Sequence, residues 1–219
     1  MTRKGVYEIR RIPEGMGCMP LEGVFTPDQI TGCYAALEEA SMDQYVWPDD
    51  GYRPEAHARV GWNSAGIHVL LYAKEEKVQA LCTETGGRVC EDSCMEFFFM
   101  PFPEEDKRYL NAEMNPIGTL HLGIGEGRPG RIKLKGELPG DFVIYKSAHE
   151  SAWWAVSYTI PMSHIEKEFG KRLGSGSVMR GNFYKCDESV HPHFGTWQPI
   201  TSEKPDFHRP ECFGEMILK

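Results

Sequence analysis

The chain has 219 residues, of which 41% are hydrophobic, 26% charged and 11% aromatic, the balance of an ordinary globular protein that can build a core without disulfides or metal; disorder and collagen-like structure are excluded. A formal charge of −8 at pH 7 argues against a broad basic face for nucleic acid or anionic lipid, and no run reaches the roughly 18 to 20 apolar residues of a membrane helix. Arg3, Lys4, Arg10 and Arg11 precede no apolar segment, and the seven cysteines are an odd number, so the expectation is a cytoplasmic protein with free thiols and with neither nucleic acid nor membrane as partner.

In chain order, the first predicted element is a helix. Thr26-Pro27-Asp28-Gln29 combines a capping Thr, Pro at the first helical position and Gln three residues after the cap, and Ile30, Cys33, Tyr34 and Leu37 then share one face. Strands follow at 59–62, 67–73, 94–100, 109–115, 120–124, 142–146, 153–160, 178–185 and 216–218, all rich in β-branched and aromatic residues and several alternating with period two. Asn63-Ser64-Ala65-Gly66 and Gly127-Arg128-Pro129-Gly130 read as turns. A second short helix is predicted at Ser163, with Glu166 completing a capping box and Gly170 or Gly174 as its stop. No repeat or long linker divides the chain. The predicted fold is therefore all-β, an antiparallel sandwich of the immunoglobulin-like class with one or two short helices, in a single domain over 1–219.

The stretch Cys94-Met95-Glu96-Phe97-Phe98-Phe99-Met100 is apolar on both faces, as in a central strand covered on each side, yet carries Glu96 in its middle. Either a polar partner satisfies that carboxylate or the sheet opens there into a pocket. On the next strand Asn111, Glu113 and Asn115 project from one face, and Asn is disfavoured in strands. Planar amides and carboxylates suit hydrogen bonding to neighbouring sugar hydroxyls, and Trp62, Trp153, Trp154 and Trp197 are rings that could pack on a pyranose, with Trp197 the one set in a loop-like stretch. A solvated strand face and core tryptophans are the alternative.

Cys186, Asp187, His191, His193, His208 and Cys212 match no established zinc spacing, and Cys90 and Cys94 in an extended strand would stand about 13 Å apart; no metal site is expected. Gly123-Ile124-Gly125-Glu126-Gly127 lacks the Lys-Ser/Thr and helix of a phosphate loop. No Gly-x-Ser-x-Gly elbow is present, although Glu96 and Glu113 have the makings of a glycosidase acid/base pair.

Five ordered motifs carry a family resemblance: Cys90-Glu91-Asp92-Ser93-Cys94-Met95-Glu96-Phe97-Phe98, Tyr109-Leu110-Asn111-Ala112-Glu113-Met114-Asn115 with Gly118, Gly181-Asn182-Phe183-Tyr184-Lys185-Cys186, Pro192-His193-Phe194 with Trp197, and Phe207-His208-Arg209-Pro210-Glu211 with Phe213-Gly214. Together they resemble the carbohydrate-binding module family 9-like domains, most strongly over 55–219. The resemblance implies a DOMON-like β-sandwich without catalytic activity, holding a chain end or small saccharide in a slot between aromatic side chains; some members also bind structural calcium. Carried over residue by residue, it makes Trp197 one stacking ring and Glu96, Glu113, Asn115 and Tyr184 lining residues. The second stacking position falls at Cys90, where many relatives have an aromatic, and Trp47 or Tyr52 is a candidate substitute. The alternative function is a glycoside-processing enzyme using Glu96 and Glu113. No cofactor is expected apart from the calcium that the resemblance allows.

Overall fold

The computed structural model describes residues 5–47, 50–149, 152–189 and 191–219. Among them lie thirteen strands and two short α-helices. In chain order these are β1 (Tyr7–Arg11), α1 (Gly32–Ala35), β2 (Glu39–Ser41), β3 (Glu55–Trp62), β4 (Gly66–Lys74), β5 (Cys94–Met100), β6 (Tyr109–Met114) and β7 (Leu120–Gly125). Then come β8 (Ile132–Lys133), β9 (Ile144–Lys146), β10 (Trp153–Pro161), α2 (Met162–Phe169), β11 (Val178–Asp187), β12 (His193–Thr196) and β13 (Gly214–Leu218).

The strands form two layers of a sandwich. One has the order β8-β7-β6-β5-β11-β13 with β12 added to β11; the other has β3-β4-β10-β9 with β2 added to β3. β1 joins them, since Tyr7 to Ile9 pair with β13 and Arg10 and Arg11 pair with β3, both in parallel, whereas every other strand pair is antiparallel. The expected all-β sandwich is present, and β1, with its two parallel neighbours, stitches the layers into one hydrogen-bonded sheet.

Period two decides what fills the space between the layers. Met95, Phe97 and Phe99 of β5, Leu110, Ala112 and Met114 of β6, and Phe183 of β11 meet Ile67, Val69 and Leu71 of β4 and Trp154, Val156 and Tyr158 of β10. The opposite face of β5 is also covered: Cys94, Phe98 and Met100 pack with Tyr184, Ile200, Phe207 and Phe213. This double cover explains why residues 94–100 are apolar on both faces apart from Glu96, and β5 lies between β6 and β11 as a central strand.

All nine predicted strands are present. β1, β2, β8 and β12 were not predicted from the sequence; they are two to five residues long, too short to show a period. The expected first helix is broken instead: a 3-10 turn at Pro27–Gln29 is separated from α1 by Gly32 at φ +59, so only four residues are α-helical. Gln29 still closes on the cap, its Oε1 accepting from the Thr26 N–H at 3.0 Å. α2 begins one residue before Ser163, with Pro161 at the cap, and stops at left-handed Gly170, whose N–H returns to Glu166 O. Among the described residues no helix is long and apolar enough to cross a membrane.

One buried side chain ties this core to pH. His68 on β4 is 1% exposed, with Nε2 2.8 Å from Asn63 Oδ1 and Nδ1 2.9 Å from Thr159 Oγ1, an arrangement that satisfies the neutral ring. Burial lowers its pKa to about 4. Unfolded chains protonate their histidines near pH 6.5, so the folded state is penalised below that value. Stability is expected to decline as pH falls from 6.5 towards 4, by up to about 1.4 kcal/mol per pH unit for this one proton. Urea unfolding at pH 7 and pH 4.5 checks this: His68→Gln is expected to show a shallower loss than the parent, and an equal loss would remove His68 as the cause.

Candidate functional site

The outer face of β5, β6, β7 and β11 gathers the polar side chains that alternation predicted. Register sets Glu96 between Glu113 of β6 and Tyr184 of β11, Glu113 beside His121 of β7, and Cys94 opposite Cys186. The chain before β5 and the chain between β12 and β13 cross this face without sealing it. They leave a cavity of about 340 Å³, within the usual range for small-ligand sites. Glu96, Asn111, Glu113 and Cys186 form its floor, Phe98, Phe194, Phe207 and His208 its apolar side, and Cys90 and His121 also line it. Exposed Arg88, Arg128, Lys133 and Glu188 stand at its mouth.

Glu96 is 2% exposed, and the Cys186 thiol donates to its Oε1 at 3.2 Å. Burial, then the neighbouring Glu113 charge, push the Glu96 carboxyl well above the usual carboxylate range, which favours the protonated acid. That form can donate a hydrogen bond as well as accept one. The Glu113 carboxyl is also raised by burial, opposed by His121, Asn111, Lys133 and Arg131. Asn111 Nδ2 donates to Glu113 Oε1 at 2.7 Å.

Arg131 holds Asn111 in turn. Its Nε donates to Asn111 Oδ1 at 2.8 Å, and its other nitrogens reach the carbonyls of Tyr109, Gly123, Gly125 and Gly127. The guanidinium lies 4.2 Å from the Tyr109 ring centre. With its donors so committed, Arg131 is a fixed positioning residue. Gly123 makes the arrangement possible, because a Cβ there would stand 2.6 Å from Asn111 Oδ1. The Tyr109 hydroxyl meets His208 Nδ1 at 2.7 Å; burial, reinforced by Arg131 and Arg128, brings the His208 pKa to about 3, so its ring is neutral.

The aromatic side of the cavity rests on a second layer of rings. Phe207 stacks on Tyr184 at 4.1 Å and 7°, and the Tyr184 hydroxyl donates to Phe207 O at 3.1 Å. Half-buried Phe194 meets both Trp47 and Phe207 edge-on.

The five site residues expected from the sequence therefore divide. Glu96 and Glu113 come together on the cavity floor. Tyr184 lies behind Phe207 and is fully buried. Asn115 does not line the cavity: its Nδ2 donates to Cys82 O and Asp92 Oδ2 and its Oδ1 accepts from Thr119 N–H, each within 2.9 Å, so it fixes the chain that enters β5. Trp197 corrects its expected place as a cavity wall. It is 4% exposed and packs between the layers, 5.8 Å from Tyr7 and 5.7 Å from Phe183.

Neither proposed substitute ring reaches the cavity. Trp47 sits behind Phe194 with Nε1 donating to Ser202 O, and Tyr52 stacks on His191 at 4.0 Å. Cys90 lines the cavity. The phenylalanine rings in contact with the cavity, Phe98, Phe194 and Phe207, belong to motifs quoted above but were not singled out. The Cys/His constellation also separates: Cys186 and His208 line the cavity, whereas His191 and His193 pack around Tyr52 and Cys212 lies against Thr201.

Comparison with known proteins agrees with this architecture. The profile of carbohydrate-binding family 9 matches residues 32–218. A protein from Bacteroides uniformis ATCC 8492, provisionally named carbohydrate-binding, is similar over 100% of both chains with 29% identity and a TM-score of 0.79. A family 9 module from Caldicellulosiruptor kristjanssonii, solved with cellotriose, is similar over 97% of this chain and 93% of its own at 13% identity and a TM-score of 0.64. The same description with glucose gives 97% and 95%, 12% identity and a TM-score of 0.61. No curated protein matches.

Proposed function

Because the chain belongs to carbohydrate-binding family 9, we propose that it binds a saccharide, without turning it over, in the cavity floored by Glu96 and Glu113. The observation that carries this reading is the cavity's two-sided chemistry, with carboxyl and amide groups on one side and Phe194 and Phe207 on the other. A pyranose has the matching division between hydroxyl edge and C–H face. The Glu96 and Glu113 carboxyls offer hydrogen bonds to sugar hydroxyls, and Asn111, held by Arg131, keeps Glu113 in register. Tyr184 and Asn115 act through Phe207 and through the chain entering β5. The ligands named for the similar modules, glucose and cellotriose, are the first candidates.

Binding without turnover is the reading that membership of a carbohydrate-binding family supports. Calorimetry with glucose, cellotriose and a glycan array, beside nitrophenyl glycoside assays, tests the reading. Phe194→Ala removes a stacking surface worth about 1–3 kcal/mol by analogy with base stacking, and Glu113→Gln replaces a carboxyl group on the floor with an amide. Each is expected to weaken binding about tenfold or more with little change in melting temperature. Unaltered affinity in both variants would move the site elsewhere, and glycoside turnover would overturn the non-catalytic reading.

A further inference from the structure

We propose that the cavity floor is also a site for a thiophilic divalent cation such as zinc, held by Cys94, Cys186 and Glu96 with its fourth position open to the cavity. Spacing along the chain conceals the site, because Cys94 and Cys186 come together only through the β5–β11 register. Cys94 and Glu96 are two residues apart on one strand and so share its face. The two sulfurs and a carboxylate oxygen all lie within 4.8 Å of one another, and all three residues are buried. Glu96 Oε1 is 3.2 Å from Cys186 Sγ and 3.9 Å from Cys94 Sγ.

Tetrahedral zinc, with bonds of about 2.3 Å to sulfur and 2.1 Å to oxygen, sets sulfurs about 3.8 Å apart and sulfur to oxygen about 3.6 Å apart. The donors are near that geometry already. Small side-chain rotations would complete it, with both thiols and the Glu96 carboxyl giving up their protons on binding. Two sulfur donors select zinc over calcium, which takes six to eight oxygens. A disulfide would use the two sulfurs and leave the buried Glu96 carboxyl without its Cys186 donor. Three protein ligands with the remaining position facing an open cavity is the arrangement of a zinc that accepts an exchangeable ligand, and Cys90 lines the same space. The saccharide reading requires no metal, but the two sites share Glu96 on the cavity floor, so saccharide and metal binding are measured separately.

The test uses the full chain, reduced with a phosphine and stripped by a chelator. Zinc titration by calorimetry is expected to show one equivalent bound, and cobalt is expected to give the near-ultraviolet absorption of cobalt–thiolate bonds. Cys94→Ser and Cys186→Ser are expected to weaken zinc binding about 100-fold or more and to lower the cobalt band. Glu96→Gln, which leaves both thiols, is expected to weaken binding while keeping that band. Absence of a cobalt–thiolate band in the parent protein overturns the proposal whether or not the serine variants fold, and so does tight zinc binding that survives in Cys94→Ser/Cys186→Ser. Saccharide binding measured in the stripped protein reports separately on the other reading.

Discussion

Trp197→Ala is expected to destabilise the protein by about 3–5 kcal/mol, the range for deleting a large aromatic from a core. At the 2–4 °C per kcal/mol typical of chains of about 150–250 residues, the melting temperature falls by roughly 6–20 °C. The ring is 4% exposed and meets Tyr7 and Phe183 at tilted or edge-on angles. Its backbone N–H donates to Phe183 O at 2.9 Å, so both backbone and side chain are set by β11. Gly214 marks how closely it is packed, since a Cβ there would lie 2.7 Å from the indole Cζ3. Saccharide affinity of the folded fraction is expected to change far less than in Phe194→Ala. Denaturant unfolding and calorimetry on the same samples decide the matter. A loss below about 1 kcal/mol together with abolished binding would return Trp197 to the site, because a ring that carries little of the core leaves little cavity behind.

The case of Trp197 shows what the sequence could and could not convey. Gly195 and Pro199 make its surroundings look like an exposed loop, but burial is a property of what covers a segment. That cover comes from Phe183 of the neighbouring β11 and from Tyr7 of β1, which lies far away in the chain. The polar strand face was legible because alternation is local: Glu96 and Glu113 could be assigned to adjacent strands on one face from residues 94–115 alone. The meeting of Cys94 with Cys186 was not, since a pairing between strands more than ninety residues apart leaves no trace in either strand's own pattern. Arg131 was hidden for a different reason. It follows a Gly- and Pro-rich turn where an arginine reads as solvated, yet its hydrogen bonds go to Asn111 and four backbone carbonyls. Phe194 and Phe207 were visible within the family motifs, but choosing them over Trp197 required knowing which face of the sheet each ring reaches.

Lys185→Met is expected to cost about 3–5 kcal/mol, because it strands a buried carboxylate. Lys185 alternates with Tyr184 and Cys186 on β11 and so points away from the cavity, where its side chain is 0% exposed. Its Nζ lies 3.0 Å from Glu75 Oε1, a side chain that is 1% exposed, and donates to Cys186 O at 2.8 Å. Glu75 accepts from Trp154 Nε1 at 2.6 Å and from Ser93 Oγ at 3.0 Å, so the pair links β4, β10, β11 and the start of β5. Methionine fills similar volume but removes the only positive charge paired with Glu75 among the described residues. Adding Glu75→Gln removes the stranded charge while keeping an acceptor for Trp154. The double variant is therefore expected to be more stable than Lys185→Met alone, with a coupling of at least about 1 kcal/mol, in the range for directly contacting residues. Urea unfolding of the two single variants, the double variant and the parent gives that coupling directly. Strict additivity would mean that Glu75 and Lys185 contribute to the fold separately. A positive coupling would identify a buried ion pair that fastens the two layers beside the cavity without taking part in what the cavity binds.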